Sequence, residues 1–233
     1  MSRRRFFADR VEGPAAWLEG AAAVHLARVL RAAPGQEYEL AWQGRVYLAR
    51  VRRAVPAQIA FDLIAELPAP PPAPALELAV ALFKFDRFEW MLEKATELGL
   101  ARLHLLATRR VEPRLLAAAA GRAQRWQAIV REAAEQSRRA DWPAILPPQP
   151  LAAFLRSPVA FAAGRERWVL TEPPGGELLP ARHGPRLLLA GPEGGWAPGE
   201  LEAAVEAGFA QASLGPRVLR CETALLAALA RSA

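Results

Sequence analysis

The chain has 233 residues, 52% of them hydrophobic and 23% charged, and its formal net charge of +6 rests on arginine, since Lys84 and Lys94 are the only lysines. This length allows one large or two modest domains with a real core, and no apolar run approaches the span of a bilayer, so a membrane protein is not indicated. The charged start MSRRRFFADR has no apolar stretch behind it, so a cytoplasmic location is expected, and a single cysteine (Cys221) with three histidines (His25, His104, His183) excludes an internal disulfide and argues against any metal site.

Residues 1–68 read as a small β-rich module. Gln36 to Leu40, Arg45 to Arg53 and Gln58 to Leu67 have strand character, and Ile59, Phe61, Leu63, Ala65 and Leu67 alternate along one face of the third. Trp42-Gln43-Gly44 joins the first two as a hairpin, and one short helical piece covers about Ala21 to Arg31. Arg3-Arg4-Arg5 with Phe6-Phe7 form one basic cluster. His25, Arg28 and Arg31, at i, i+3 and i+6, form another on one expected helix face. Forked guanidinium groups suit phosphate, and His25 with the Phe pair would offer stacking surfaces for bases. The competing reading is a solvated helix face and a fraying terminus in a compositionally biased chain.

Pro68 to Pro74 is proline-rich and continues neither a strand ladder nor a helix, so it marks a spacer before a second domain over residues 74–233. There the pattern alternates. A strand over Leu76 to Leu82 precedes a helix carrying Phe88, Met91, Leu92, Ala95 and Leu98 that stops at Gly99. Another strand covers Arg102 to Leu106, and a long helix runs from about Pro113 to Arg139, ended by Trp142-Pro143. Trp168 to Leu170 runs into the loop Thr171 to Gly176. Leu187 to Ala190 breaks into Gly191-Pro192-Glu193-Gly194-Gly195, and Pro198 opens a helix with Leu201, Val205 and Phe209 on its apolar stripe. Ala212 to Leu214 stops at Gly215, and a last helix begins near Cys221. Strands separated by such helices predict an α/β fold with a mainly parallel sheet covered on both faces, its ligands gathering beyond the strands' carboxyl ends.

Neither GxxxxGK[ST] nor a GxGxxG after the first strand is present, so no nucleotide-phosphate fingerprint is met. Cys221 reads as a small residue at a helix start; the less favoured alternative is a nucleophile whose pKa Arg220 and the helix would lower.

Four motifs in order identify a family. Lys94-Ala95-Thr96-Glu97-Leu98-Gly99, Glu132-Ala133-Ala134-Glu135-Gln136-Ser137-x-Arg139, Gly191 to Gly195, and Leu214-Gly215-x-Arg217-Val218-Leu219-Arg220-x-Glu222-Thr223-Ala224 resemble the 16S ribosomal RNA uridine-N3 methyltransferases of the SPOUT superfamily. The likeness extends to His25-Leu26-x-Arg28-Val29-Leu30-Arg31. It implies a PUA-like β-barrel that helps hold RNA, a C-terminal sheet whose end is threaded through a trefoil knot, S-adenosylmethionine as cofactor, a homodimer, and 16S rRNA or the small ribosomal subunit as partner, with no DNA expected. Carried onto this sequence, it implies cofactor contacts from Leu170, Thr171, Glu172, Gly191, Pro192, Gly194, Gly195, Leu214, Gly215, Leu219, Glu222, Thr223 and Ala224. Catalytic roles fall to Arg139, Arg220 and Glu222, and RNA contacts to Arg3, Arg4, His25, Arg28, Arg31, Lys94, Arg139, Arg217 and Arg220. A side chain at Gly194 is expected to block the cofactor. Ribose 2′-O methylation and a non-catalytic RNA-binding protein remain the alternatives. Two positions depart from the family: Arg138, where a small residue, often Gly, is usual, and Cys221, where Thr is common.

Overall fold

The computed structural model describes residues 4–68, 75–172 and 176–233. Arg3, the proline run at 69–74 and residues 173–175 lie outside the described residues. Internal packing divides the chain into two units, one of Met1–Pro71 with Arg131–Trp142, the other of Pro72–Val130 with Pro143–Ala233.

The first unit holds β1 (Arg5–Phe7), β2 (Arg10–Glu12), β3 (Ala15–Glu19), helix α1 (Gly20–Val24) continued by a π-helical turn (His25–Val29), β4 (Glu37–Trp42), β5 (Arg45–Val55) and β6 (Gln58–Leu67). These strands form one sheet in the order β1-β4-β5-β6-β3-β2, antiparallel except where β1 runs beside β4. Leu18, Leu26, Leu40, Ile59 and Phe61 are fully buried at its core. Gln43 and Gly44 both have positive φ (49° and 77°), as a two-residue hairpin with the right-handed strand twist requires.

Two expectations fail here. Phe6 and Phe7 are 6% and 2% exposed, committed to the core on β1, and are not available for stacking on bases. The basic residues after them do not share one α-helical face either. Leu30 N–H bonds the His25 carbonyl and Ala32 N–H that of Leu26, so the turn is wider than 3.6 residues, and Arg31 lies past it with φ +52°. His25, Arg28 and Arg31 are nonetheless all exposed.

Arg131–Trp142 completes this unit. Arg131 donates to the Phe7 carbonyl (2.6 Å), Phe7 N–H donates to Glu135 Oε1 (3.1 Å), and the Phe7 and Trp142 rings meet edge to face at 4.5 Å. Arg138 adopts φ +57°, the left-handed region that glycine enters without steric cost. A small residue at this position thus has a backbone reason. Here the arginine is held by Glu39, which accepts from Arg138 at 2.5 Å and from Arg5 at 2.8 Å.

The second unit is a layered α/β fold. Its elements are β7 (Leu76–Ala81), α2 (Phe85–Glu97), β8 (Leu100–Ala107), α3 (Pro113–Gln136, whose last turns belong to the first unit), β9 (Ala144–Pro150), α4 (Leu151–Leu155), α5 (Pro158–Phe161), β10 (Glu166–Leu170), β11 (Glu177–Leu178), β12 (Arg186–Ala190), α6 (Glu200–Glu206), β13 (Ala210–Ser213) and α7 (Cys221–Ala230). The seven strands run parallel in the order β11-β13-β10-β12-β7-β8-β9. Alternate side chains of the buried strands feed two cores. Leu78, Val80, Leu188 and Ala190 pack with α2, α3 and α7, while Ala79, Leu187 and Leu189 pack with α4, α5 and α6. The parallel sheet with helices on both faces is the architecture the alternating pattern predicts.

β9 escapes sequence reading because it carries Pro147, Pro148 and Pro150; it is tolerated as the edge strand, where one side of the ladder is unpaired. In α6 the expected stripe is displaced: Val205 is 40% exposed, whereas Glu200 is buried. Glu200 accepts from Ala197 N–H (2.9 Å) and Arg109 N–H (2.8 Å), which satisfies it where a carboxylate favours a helix start. Near the sheet's other end Glu77 is buried against His104 (2.7 Å) and Arg165 (2.7 Å). Burial alone would raise its pKa, but His104, Arg165 and Arg102 outweigh it and hold the carboxyl below its ordinary value. Among the described residues no helix is long and apolar enough to cross a membrane.

Candidate functional site

The strand order places the site. β7, β8 and β9 extend one way from the middle of the sheet and β10, β13 and β11 the other, with β12 between the two sets. A crevice beyond the carboxyl ends of strands at such a reversal is where open parallel sheets bind ligands. A cavity of about 360 Å³ lies there, within the range of sites for small molecules. Leu170, Thr171 and Glu172 enter from the end of β10, Gly191 to Glu193 and Gly195 from that of β12, and Leu214 from that of β13. The segment into α7 supplies Arg217, Leu219, Arg220, Cys221 and Ala224.

Hydrogen bonds hold these loops together. Thr171 N–H donates to the Ala212 carbonyl (2.9 Å), tying the β10 exit to β13. Trp196 Nε1 donates to the Leu170 carbonyl (3.3 Å), tying the β12 exit to β10. Gly195 N–H closes a turn onto the Pro192 carbonyl (2.8 Å), and Arg110 reaches the Gly194 carbonyl (2.7 Å) from beyond β8. Arg87 on α2 pairs with Glu193 (2.9 Å) and lies 3.9 Å from Glu222.

The glycines divide sharply. A Cβ on Gly191 would stand 2.9 Å from the Trp196 ring, closer than real Cβ contacts come, so this glycine is required for backbone and indole to meet at the cavity wall. A Cβ on Gly194 would meet only Arg110 Cδ, at 3.8 Å, an ordinary contact. Gly194 is not among the lining residues; within the protein the close approach is at Gly191. Gly215 does not line the cavity either; it has φ +112° where the chain turns out of β13.

Arg217 and Arg220 are exposed, line the cavity and have no ion-pair partner among the described residues. Glu222 and Thr223, expected at the cofactor, line an adjoining cavity instead. Cys221 lies inside, its Sγ 3.9 Å from the Gly191 carbonyl, and burial, with Glu222 and Glu193 adding to it, pushes its thiol up to about 12. The thiol therefore stays protonated at neutral pH, which removes the nucleophile reading. Lys94 is engaged by Glu93 (2.6 Å) and Glu97 (2.9 Å). Arg139 belongs to the first unit and pairs with Asp141 (2.9 Å); it is not among the cavity's lining residues. Arg4 is exposed in that same unit.

Sequence reasoning missed Arg87 and Trp196. Trp196 directly follows Gly195 and was within reach; Arg87 comes from another element with no motif to mark it.

A family model described as RNA methyltransferase domain matches residues 70–233. Over 234 residues the chain is 36% identical to Ribosomal RNA small subunit methyltransferase E of Mycobacterium bovis, covering 96% of this chain and 88% of that protein. The protein of the same name from Synechocystis sp. is 37% identical over 174 residues, 71% of this chain and 54% of that protein, so the chain matches about half of its length. The crystal structure of a Ribosomal RNA small subunit methyltransferase E from Neisseria gonorrhoeae bound to S-adenosyl methionine is similar with TM-score 0.83 at 29% identity, covering 98% of this chain and 96% of that one.

Proposed function

The chain belongs to the ribosomal RNA small subunit methyltransferase E family, within the RNA methyltransferase domain family, and from that premise we propose that it transfers the methyl group of S-adenosylmethionine to N3 of a uridine in 16S rRNA. The observation that carries this reading is the cavity where the ends of β10, β12 and β13 converge beside Arg217 and Arg220, two arginines without ion-pair partners among the described residues.

Its walls suit that cofactor. Gly191 lets the Trp196 indole close one wall, and backbone of the lining residues Leu170 to Glu172 and Gly191 to Glu193 borders the space an adenosine would take. Leu214, Leu219 and Ala224 give the base and ribose an apolar bed. The cofactor supplies an activated methyl on a sulfonium. The protein's share of the work is then positional and electrostatic. N3 of uracil carries a proton that must pass to solvent water before the nitrogen can attack, so negative charge develops on the ring; Arg217 and Arg220, which line the cavity, would stabilise it. Glu222 borders Arg220 in the adjoining cavity, and Arg139 is assigned to holding RNA.

The RNA platform of the first unit is assigned to Arg4, His25, Arg28 and Arg31, all exposed. Its sheet is read as the PUA-like barrel, and the crossing of the chain through β12, β13 and α7 as the trefoil knot. A homodimer acting in the cytoplasm on 16S rRNA or the small ribosomal subunit completes the reading. Mass-spectrometric mapping of 16S rRNA from cells with and without the protein tests it: one N3-methyluridine that disappears with the protein is expected. A ribose 2′-O-methyl product, or no change together with no calorimetric binding of S-adenosylmethionine, overturns it.

A further inference from the structure

Beside the first cavity lies a second of about 560 Å³, and the two share Arg87, Val218, Leu219 and Arg220. They are neighbouring compartments with a common wall, an arrangement suited to two reactants that must meet in line. The second is also lined by Trp90 of α2, a large aromatic left 49% exposed. Another lining residue is Glu222, in the first turn of α7. The Glu222 side chain is only 10% exposed, yet Oε2 has no hydrogen-bond partner among the described residues and Oε1 lies 3.9 Å from Arg87 Nε, beyond hydrogen-bonding distance. A buried carboxylate oxygen without a donor is costly even beside the Arg87 ion pair, so its place beside an open cavity points to a donor that arrives with a ligand.

We propose that this second cavity seats the base that receives the methyl group, an unstacked pyrimidine lying on Trp90 with its imide edge between Arg87, Glu222 and Arg220. The inference rests on the methyltransferase reading above and adds the base's location and how it is recognised. A uracil edge presents acceptor, donor, acceptor in O2, N3–H and O4. The cavity's lining supplies the complementary groups, two guanidinium donors and one carboxylate acceptor. Cytosine, with an acceptor at N3 and a donor at the exocyclic amine, would set acceptor against Glu222 and donor against an arginine. A base must leave its stack to be reached by such a site, and an aromatic face compensates for the stacking it gives up.

The test uses the full chain and small-subunit rRNA lacking the modification. Irradiation of RNA carrying 5-iodouridine is expected to crosslink to the peptide that contains Trp90. Trp90→Ala is expected to raise the KM for RNA roughly tenfold, Trp90→Phe to regain most of it, and both to leave S-adenosylmethionine affinity by calorimetry unchanged. An unaltered KM in Trp90→Ala, with methylation and cofactor binding intact, overturns the base seat while leaving the methyltransferase reading in place. Failure of the unaltered protein to bind cofactor at all would instead sink that reading. If sedimentation shows Trp90→Ala turning a dimer into monomers, and KM follows the dissociation, the tryptophan is covered by a second copy of the chain and the base seat is overturned.

Discussion

Adding one methyl group at Gly191 tests the cavity most directly. The Cβ of Gly191→Ala would lie 2.9 and 3.0 Å from two ring atoms of Trp196, closer than real Cβ contacts come. The indole must move, which breaks its hydrogen bond to the Leu170 carbonyl and shifts a wall of the cavity. Overpacking of this kind costs about 1–3 kcal/mol, and the broken hydrogen bond about 1 kcal/mol more. Part of that falls on the free protein and part on the ligand, so S-adenosylmethionine affinity should drop about ten- to a hundredfold, equivalent to about 1.4–2.8 kcal/mol. Gly194→Ala is the control, since its Cβ finds only Arg110 Cδ at 3.8 Å. It should change affinity by less than about twofold and stability by less than about 0.5 kcal/mol. Isothermal titration with thermal unfolding of both variants reads the two quantities. Equal losses in both, or full affinity in Gly191→Ala, would refute the steric argument.

Arg217→Ala with Arg220→Ala should weaken RNA binding and flatten its dependence on log salt by about 0.7 for each phosphate no longer neutralised, whereas an unchanged slope in filter binding removes them from the RNA path. Arg28→Ala with Arg31→Ala should do the same from the first unit if that unit holds RNA. Cys221 should resist alkylation near pH 8 until the protein unfolds. Because its folded pKa lies above the ordinary thiol value, the stability it contributes is retained below that value and lost as pH rises toward about 12, which denaturant melts of Cys221→Ser and the unaltered chain at alkaline pH will show by their difference. Glu77→Gln should cost about 3–5 kcal/mol at neutral pH by leaving His104 and Arg165 without their carboxylate. Since the folded pKa of Glu77 is depressed, its contribution is present above the unfolded value and fades as pH falls through the folded one; the variant should lose that acid dependence.

What was legible in the sequence followed from periodicity and punctuation. β7 and β12 stand out because they are buried along their whole length and read as apolar runs. The segments missed have local chemistry that argues against their state. β9 is half proline-broken and survives only as an edge, and β1 and β2 are three residues each with charged positions. At the site, the loops were found because glycines mark them, but which glycine matters depends on Trp196 folding back over Gly191, a tertiary approach with no sequence period. That Arg138 departs from the family's small residue is legible in the sequence, but its backbone at φ +57° and its ion pair with Glu39 are not.

The place of β12 has a consequence for how the molecule is made. It is the central strand, pairing Arg186 with Leu76 on one side and with Glu166 on the other, yet it follows both neighbours in the chain. During synthesis β7 and β10 therefore wait with open edges until the last quarter of the chain emerges. Pairings between residues so distant in sequence form slowly, and unpaired parallel edges invite association with other chains. A polypeptide stalled before Arg186 would lack the cavity and expose both edges at once, so aggregation of such truncated chains should be the characteristic failure of this fold.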